Sequence, residues 1–419
     1  MTARAGRPEV YVTGLGLNTP LGAGAEAFWP ALVAGTSGVG PVTRFDTRWL
    51  PVHMAAQIKD LDGLRNLSTE EQKALDPAAR LALSAGRAAL ADAGWLGADQ
   101  RSQHGAVDLV FGTTHGDLNE HVVRCKRTWE TQDLASALEV TRDIVSENVT
   151  YSFLYQMAQR LGLTGWQSTN TNACAASGYA LSLAVERIRQ GLADVVLAGG
   201  MDLLAEPDYT GFCSLRAMAP DCCRPFDRAR RGLIMGEAGA ALVLESGESL
   251  RQRGGKAYAR VLGYGWSSDA YHLSTPHPEG WGTRQSVALA LKDAGLKAEE
   301  IDGIVAHGTG TPGNDRTEAQ AFREVFGERV PPVTAPKSMI GHAMGAASAI
   351  EAVIGVLSLK HQTLPPTINH EETDPECPVE VVRKARSLRL RTCLTNSSGF
   401  GGNNDSLVFG EVAEAGWRR

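Results

Sequence analysis

Four segments of the sequence carry residues that suit acyl-transfer chemistry, and the first holds a cysteine. Cys174 stands among small residues, in the segment 172–178, directly before a predicted helix. Small neighbours allow a sharp turn and the close approach of a substrate, and a helix N-terminus favours a thiolate over a thiol. We therefore predict a nucleophilic cysteine with a lowered pKa. The alternative is a structural cysteine buried at a tight helix–sheet contact, because free cysteines are commonly core residues.

Two histidines supply the second and third segments. His307 directly follows a buried strand pattern that ends at Ala306, and the glycines after it leave it open to whatever binds there. His342 opens another predicted helix, whose positive end disfavours an imidazolium and keeps the ring neutral. A neutral histidine can donate one N–H hydrogen bond to a developing enolate oxygen. Each histidine could equally be an ordinary loop or cap residue.

The fourth segment is a glycine-flanked aromatic loop at residues 399–402. It could present a backbone N–H to an oxyanion, or be a simple turn. One chemistry uses all four segments: a thiol accepts an acyl group, and neutral histidines assist a carbanion that attacks the thioester. A metal centre is disfavoured, because His307 and His342 lie 35 positions apart with no further ligand at suitable spacing.

The elements that must position these residues follow one pattern twice. In the first half of the chain a helix is predicted at residues 178–190 and a buried strand at 194–198. In the second half a strand at 302–306 ends in a loop, and an Ala-rich helix runs through Leu357. Buried strands, glycine turns and helices in this order predict an α/β architecture with helices on both faces of the sheet.

A polar stretch with Gly254 and Gly255 predicts the boundary between two halves. Residues 1–255 form the half that carries the nucleophilic cysteine. Residues 256–419 form the half that carries both histidines and the aromatic loop. The length of 419 residues is two to three times that of a usual single domain, which agrees with two halves.

Composition and charge exclude several classes of protein. A net charge of −6 and a pI of about 6.0 exclude a generally basic nucleic-acid binder. The apolar runs are too short to span a bilayer, and the polar N-terminus lacks the apolar core of a signal peptide. Seven scattered cysteines form no disulfide framework, so we expect a cytoplasmic protein.

With these motifs in their order and spacing, the sequence resembles the β-ketoacyl synthases, the condensing enzymes of fatty-acid and polyketide synthesis, over essentially its whole length. The resemblance is to the elongating type, which carries a Cys-His-His triad. The blocks that carry it are residues 12–16, 19–22, 173–175, 198–200, 224–227, 236–237, 307–311, 314–315, 337–338, 341–342, 345–347, 396–397 and 399–402.

The resemblance implies a thiolase-type fold, with two duplicated layered α/β halves and an obligate dimer. It implies that Cys174 accepts an acyl chain from an acyl carrier protein. His307 and His342 would stabilise the enolate formed when carrier-bound malonyl loses carbon dioxide. Attack of that carbanion on the Cys174 thioester would give a 3-oxoacyl product.

Further roles also follow from the resemblance alone. The backbone N–H groups of Cys174 and Phe400 would form the oxyanion hole, with Phe400 gating the second substrate. Thr309 and Thr311 match the family's contacts to the pantetheine arm. Lys337 and Glu351 match a supporting charged pair. No metal or organic cofactor is implied, because the phosphopantetheine arm arrives on the carrier protein.

The sequence departs from the family pattern at two acyl-pocket positions. Ser398 stands where the family usually has Phe, and His115 falls near an apolar lining position. A polar lining disfavours a long saturated chain, so we predict an unusual acyl chain in polyketide or specialised fatty-acid synthesis. Two basic clusters are candidates for docking an acidic carrier protein. They are Arg124, Lys126 and Arg127, and Arg228, Arg230 and Arg231.

Several alternatives stay open at this point. Housekeeping fatty-acid elongation uses the same motifs. An acyltransferase, a priming malonyl decarboxylase, a thiolase and a non-elongating partner subunit share the fold, although decarboxylases and partner subunits normally lack the cysteine. The active dimer could be a homodimer, or a heterodimer with a chain-length-factor-like homologue.

Overall fold

Most of the chain folds around one large β-sheet. The structure is a computed structural model that describes residues 7–61, 64, 66–103, 106–116, 125–126, 128–130 and 151–412. Two residues of the predicted basic clusters, Arg124 and Arg127, lie outside this range.

The strands of the described residues are numbered in chain order. They are β1 (Val10–Thr19), β2 (Gly22–Ala23), β3 (Val39–Pro41), β4 (Met54–Ala56), β5 (Asp108–Gly112), β6 (Gln167–Asn170), β7 (Val195–Asp202), β8 (Ala238–Ser246), β9 (Ala259–Ser268), β10 (Gly303–Val305), β11 (Val333–Thr334), β12 (Thr363–Leu364), β13 (Arg386–Ser387), β14 (Thr392–Gly399) and β15 (Asn403–Gly410).

The helices of the same residues are numbered likewise. They are α1 (Ala25–Val33), α2 (Thr69–Ala74), α3 (Pro77–Asp92), α4 (Ser152–Leu161), α5 (Ala176–Arg189), α6 (Glu206–Ser214), α7 (Gly247–Arg253), α8 (Trp281–Ala294), α9 (Pro312–Phe326), α10 (Lys337–Ile340) and α11 (Ala347–His361).

The large sheet is built from two halves with the same topology. Its spatial order is β6-β5-β7-β8-β1, continued by β9-β15-β14-β10-β11. When the five strands of each half are counted in chain order, both halves have the spatial order third, second, fourth, fifth and first from the outer edge to the centre. The parallel and antiparallel pairs are also the same in both halves. The antiparallel pair of β1 and β9 joins the halves. The predicted duplicated α/β architecture is confirmed.

Helices cover both faces of this sheet, as its buried strands require. Helix α3 packs on β1 and β8, and α8 packs on β9 and β15. On the other face α5 packs on β5 and β7, α11 packs on β14, and the two helices contact each other. Helix α11 is buried from Ala347 to Leu359, because it lies at the centre of the molecule. The boundary predicted after residue 255 falls between α7 and β9.

The two central helices begin with the same unusual turn. Short 3₁₀ segments, Ala173–Ala175 and Met344–Ala346, lead into α5 and α11. Their first residues have left-handed backbones, with φ of 50° at Ala173 and 48° at Met344. Such a conformation costs about 1–3 kcal/mol in a non-glycine residue and persists where the surroundings impose it.

Contacts between the two turns bring the halves together. The Ala349 N–H donates to Ser177 Oγ at 2.9 Å, and Ser348 Oγ donates to the Cys174 carbonyl oxygen at 3.3 Å. The cysteine of the first half is thus fixed against the helix that follows His342 in the second half.

None of the helices in the described ranges has the length and apolar character needed to cross a membrane.

Candidate active site

One pocket, with a volume of about 240 Å³, collects the four predicted segments. Cys174, His307, His342 and Phe400 all line it. His307 lies two residues beyond the end of β10, and His342 precedes the turn into α11. The pocket therefore lies where strand ends of the second half meet the N-terminus of α5 from the first half.

The Cys174 sulfur is nearly enclosed, with 4% of the residue exposed. The backbone N–H groups of Phe400 and of Cys174 itself donate to this sulfur. Burial raises the pKa of the thiol to about 12, although the Lys337 charge and the Phe400 N–H both oppose this shift. The predicted lowered pKa is wrong, because loss of water around the sulfur outweighs the helix end and the nearby cation.

The end of β14 passes very close to the cysteine. A Cβ atom at Gly399 would stand 3.1 Å from the Cys174 backbone nitrogen and 3.1 Å from the Asn172 oxygen, so only glycine fits without a shift. The next residue, Phe400, stacks its ring on Phe212 of α6, with ring centroids 5.4 Å apart. This close approach delivers the Phe400 N–H to the sulfur.

The two histidines face each other edge to face, with ring centroids 5.2 Å apart. Burial, reinforced by the charge of Lys337, holds the pKa of both rings well below the usual value. Both histidines are therefore neutral, as predicted, and burial is the main cause.

Lys337 fixes the tautomer of His307. Its ammonium nitrogen lies 3.1 Å from His307 Nδ1. An ammonium group has donors only, so Nδ1 accepts and Nε2 carries the ring hydrogen. His342 Nδ1 is buried and has no hydrogen-bond partner in the described part of the chain.

The predicted charged pair is present behind the histidines. The Lys337 ammonium donates to Glu351 Oε1, and Ser397 donates to Glu351 Oε2 at 2.7 Å. Lys337 and Glu351 are each 1% exposed. Burial raises the pKa of Glu351, while the Lys337 charge works against this shift.

A second buried carboxylate, Glu318, was missed by the sequence analysis. It accepts from the His307 N–H at 2.8 Å, the Gly308 N–H at 2.9 Å and Asn396 Nδ2 at 2.7 Å. Burial raises its pKa to about 7. The available signal was Asp315 and Glu318, three apart on one face of α9, just after the His307 loop.

The other predicted site residues are placed as follows. Thr309 and Thr311 line the pocket, and their hydroxyl oxygens are 2.9 Å apart. Ser398 also lines the pocket, but its hydroxyl donates to Asn404 Oδ1 at 2.8 Å. His115 is not among the pocket-lining residues; it is buried, 3.0 Å from Asp208 of α6.

The basic clusters divide into structural and accessible residues. Arg230 is buried and pairs with Asp374 at 2.5 Å, so it is a structural residue and cannot dock a partner. Arg228 is exposed and pairs with Glu372, while Lys126 pairs with Glu206 at 2.5 Å. Arg231 lines the pocket mouth, as does a residue the sequence analysis missed, Arg216.

Within the described part of the chain, no group of three or more His, Cys, Asp or Glu side chains is arranged to hold a metal ion.

Comparisons with known proteins place this site in a family. Sequence models of the β-ketoacyl synthase N-terminal and C-terminal domains match residues 7–249 and 258–371. A 3-oxoacyl-[acyl-carrier-protein] synthase 2 of Synechocystis sp. is 35% identical, over 96% of this chain and 98% of the relative.

Solved structures agree with the sequence matches. The ishigamide ketosynthase/chain length factor superimposes with a TM-score of 0.90 at 37% identity, covering 97% of this chain and 100% of that one. A type II polyketide synthase acyl-carrier protein in complex with its ketosynthase, bound to the hexaketide, gives a TM-score of 0.86 at 30% identity, with coverages of 97% and 100%. The predicted thiolase-type fold is confirmed, and the chain belongs to the β-ketoacyl synthase family of acyltransferases.

Proposed function

We propose that this enzyme joins an acyl group on Cys174 to malonyl carried by an acyl carrier protein, with loss of carbon dioxide, to give 3-oxoacyl-acyl carrier protein. The observation that carries the proposal is the shared pocket. It holds a sulfur that receives two backbone N–H groups, next to two neutral histidines. His307 carries its ring hydrogen on Nε2, and His342 Nδ1 has no partner among the described residues.

The first half-reaction is transfer of the acyl group to the cysteine. The Cys174 sulfur forms a bond to the acyl carbon, the carbon–sulfur bond to pantetheine breaks, and the thiol proton ends on the pantetheine sulfur. The N–H groups of Cys174 and Phe400, already aimed at the sulfur, are placed to stabilise the oxyanion that forms beside it. A neutral histidine in the same pocket can relay the proton.

The second half-reaction forms the new carbon–carbon bond. The bond to the malonyl carboxylate breaks, its electrons form an enolate, and carbon dioxide leaves. The His307 Nε2–H and the His342 ring hold the enolate oxygen. The carbanion attacks the acyl carbonyl, the Cys174 sulfur leaves, and it takes a proton from solvent, which its high pKa favours.

A variant of His342 separates the two half-reactions. We expect His342→Ala to slow condensation by about 10²–10³-fold, because one enolate-stabilising group is lost. Acylation of Cys174, which uses the backbone N–H groups, should slow by less than about tenfold. Intact mass after acyl-carrier exposure measures acylation, and single-turnover product formation measures condensation. His53→Ala, on an exposed histidine, is the matched control. Equal losses in both half-reactions would contradict the assignment.

The carrier protein is proposed to dock at the pocket mouth. Its phosphopantetheine arm would run past Thr309 and Thr311, whose paired hydroxyls face the pocket. Arg216 and Arg231 are exposed residues of the pocket lining and offer positive charge to an acidic carrier, although Arg231 also pairs with Asp221 at 3.2 Å. The proposed docking position therefore lies beside the site and does not involve the buried Arg230.

Charge reversal tests the docking site. We expect Arg231→Glu to raise the KM for carrier-borne substrate about tenfold, because it turns attraction at the mouth into repulsion. Arg228→Glu is the matched control, since Arg228 is an exposed arginine of the same segment that does not line the pocket. Steady-state kinetics at two salt concentrations measures the effect. Equal KM values for the two variants would place docking elsewhere.

The pathway and the assembly are further proposals. Polyketide or specialised fatty-acid synthesis is supported by the polar Ser398 in the pocket lining and by a type II polyketide ketosynthase among the structural neighbours. Housekeeping elongation is the alternative, favoured by the curated relative.

We propose a dimer, with a second copy or with a chain-length-factor-like homologue. The edge strand β6 is only partly buried in the single chain and offers such a surface. Cytoplasmic location stays a prediction.

A further inference from the structure

A chain of hydrogen-bonded side chains runs along one wall of the pocket and joins four segments of the fold. Ser398, at the end of β14, donates to Asn404 Oδ1 of β15 at 2.8 Å. Asn404 Nδ2 donates in turn to Oδ1 of Asp269, which directly follows β9, at 3.0 Å. Thr283 Oγ1, in the first turn of α8, lies 3.3 Å from Ser398 Oγ and completes the chain. Ser398, Asn404 and Asp269 all line the pocket.

The hydrogen bonds of this chain can run in only one direction. Asn404 Nδ2 has two acceptors, Asp269 Oδ1 and the Gly402 carbonyl oxygen, each at 3.0 Å, so the amide has one orientation. Asn404 Oδ1 then faces Ser398 and needs a donor, which the serine hydroxyl supplies. Asn404 is 2% exposed. Loss of the serine hydroxyl would therefore leave a buried oxygen without its donor, and the arrangement around Asn404 would lose its fixed geometry.

The Asp269 carboxylate fixes the loop that follows β9. Its second oxygen, Oδ2, accepts from the His277 N–H at 2.9 Å, so the carboxylate ties the start of this loop to its end. A Cβ atom at Gly282 of α8 would stand 1.8 Å from Asp269 Oδ1 and 2.2 Å from Asn404 Nδ2, so the packing leaves these two groups little room to move. Residues 272 and 274–276 of the loop line the pocket.

The same chain of side chains holds both ends of the segment that carries the Phe400 N–H. Ser398 and Asn404 are directly opposite each other in the pairing of β14 with β15, and the hairpin tip lies between them. At the tip, the Gly401 N–H and the Gly402 carbonyl oxygen bond to the loop after β9, at 2.7 and 2.8 Å. The position of the Phe400 N–H therefore depends on how firmly this hairpin is joined to that loop.

We propose that Ser398 is a positioning residue for the acylation of Cys174: it acts through the hydrogen-bonded chain to hold the Phe400 N–H where the acyl oxyanion forms. The inference rests on the proposed function, in which Cys174 carries the acyl group. A donor stabilises an oxyanion only if it is already aimed at the place where the charge develops. A displacement of about 1 Å is enough to lose much of this effect, so a hydroxyl that never touches the substrate can control it.

The variant Ser398→Ala removes one hydroxyl and tests this link. Acylation of Cys174 by hexanoyl- or octanoyl-carrier protein, whichever wild type accepts faster, is followed by intact mass. It is compared with alkylation of the same sulfur by iodoacetamide, a reaction that forms no oxyanion. We expect the ratio of the acylation rate to the alkylation rate to fall about tenfold in Ser398→Ala. Ser398→Thr keeps the hydroxyl, so its ratio should stay within about twofold of wild type.

A matched control separates positioning from a general loss of stability. Ser246, the last residue of β8, is a buried serine that donates to Asp194 and caps α7, but it does not line the pocket. Ser246→Ala should therefore destabilise the fold and leave the ratio of rates unchanged. Chemical denaturation of both alanine variants measures their stability. A ratio that falls equally in Ser246→Ala and Ser398→Ala would overturn the inference.

A second variant breaks the chain at its other end. Asp269→Asn leaves one acceptor for two donors, Asn404 Nδ2 and the His277 N–H, so its ratio should fall as in Ser398→Ala. If Ser398→Ala does not fold, Asp269→Asn decides the question alone. An unchanged ratio in the folded variants would overturn the inference and leave the condensing activity standing. Failure of wild type to acylate with either substrate would instead overturn the proposed function, and this inference with it.

Discussion

Replacing Cys174 with alanine is expected to abolish acyl-enzyme formation and to lower condensation by about 10⁴-fold or more. The sulfur is the atom to which the pocket directs two backbone N–H groups, and alanine offers no nucleophile in its place. His307 and His342 remain, so release of carbon dioxide from malonyl carrier should persist. Intact mass after exposure to acyl carriers, with carbon dioxide release in parallel, measures both effects.

A second buried cysteine provides the control for that experiment. Cys213 belongs to the same apolar cluster as Cys174 and is similarly enclosed, but it does not line the pocket. Cys213→Ala should keep the acyl adduct and the condensing rate. An adduct that survives in Cys174→Ala and disappears in Cys213→Ala would contradict the assignment of the nucleophile.

Replacing Lys337 with methionine is expected to lower the free energy of unfolding by about 3–5 kcal/mol, because Glu351 is left as an unpaired buried carboxylate. The same change removes the donor that fixes the His307 tautomer, so condensation should fall by about 10²-fold or more. Chemical denaturation measures the first effect and single-turnover condensation the second.

A double variant separates the structural role of Lys337 from its positioning role. In Lys337→Met with Glu351→Leu no buried charge is left unpaired, so most of the stability should return. The His307 tautomer stays unfixed, so condensation should stay low while acylation of Cys174 proceeds. Recovery of both stability and condensation in the double variant would show that Lys337 acts only on the fold.

The sequence was sufficient to predict the residues that meet in the pocket. Cys174, His307, His342 and Phe400 lie in short motifs with glycines or small residues beside them, and such motifs require close backbone approaches. The α/β architecture followed from a repeated order of strands, glycine turns and helices, and the duplication of its two halves was implied by the resemblance to the β-ketoacyl synthases. Gly399 is an example, since a Cβ atom there would stand only 3.1 Å from the Cys174 backbone nitrogen.

The electrostatics of the site could not be predicted from the sequence. The helix end at Cys174 suggested a lowered pKa, but the enclosure of the sulfur depends on α6 and on the Phe400 loop, which are distant along the chain. Arg230 looked like part of an exposed basic cluster, and only the fold shows that Asp374, 144 positions away, buries it in an ion pair. Glu318 was missed for the same reason, because its partners His307, in the loop after β10, and Asn396, in β14, are distant from each other along the chain.

We propose that one pocket couples loss of carbon dioxide to carbon–carbon bond formation on Cys174. The most direct test loads the wild-type protein with an acyl group, confirms the adduct by intact mass, and then adds malonyl carrier in a single turnover. We expect one 3-oxoacyl-carrier product and one carbon dioxide for each acyl group lost from Cys174. Carbon dioxide release with the acyl group still on the cysteine, or acyl loss without a 3-oxoacyl product, would contradict it.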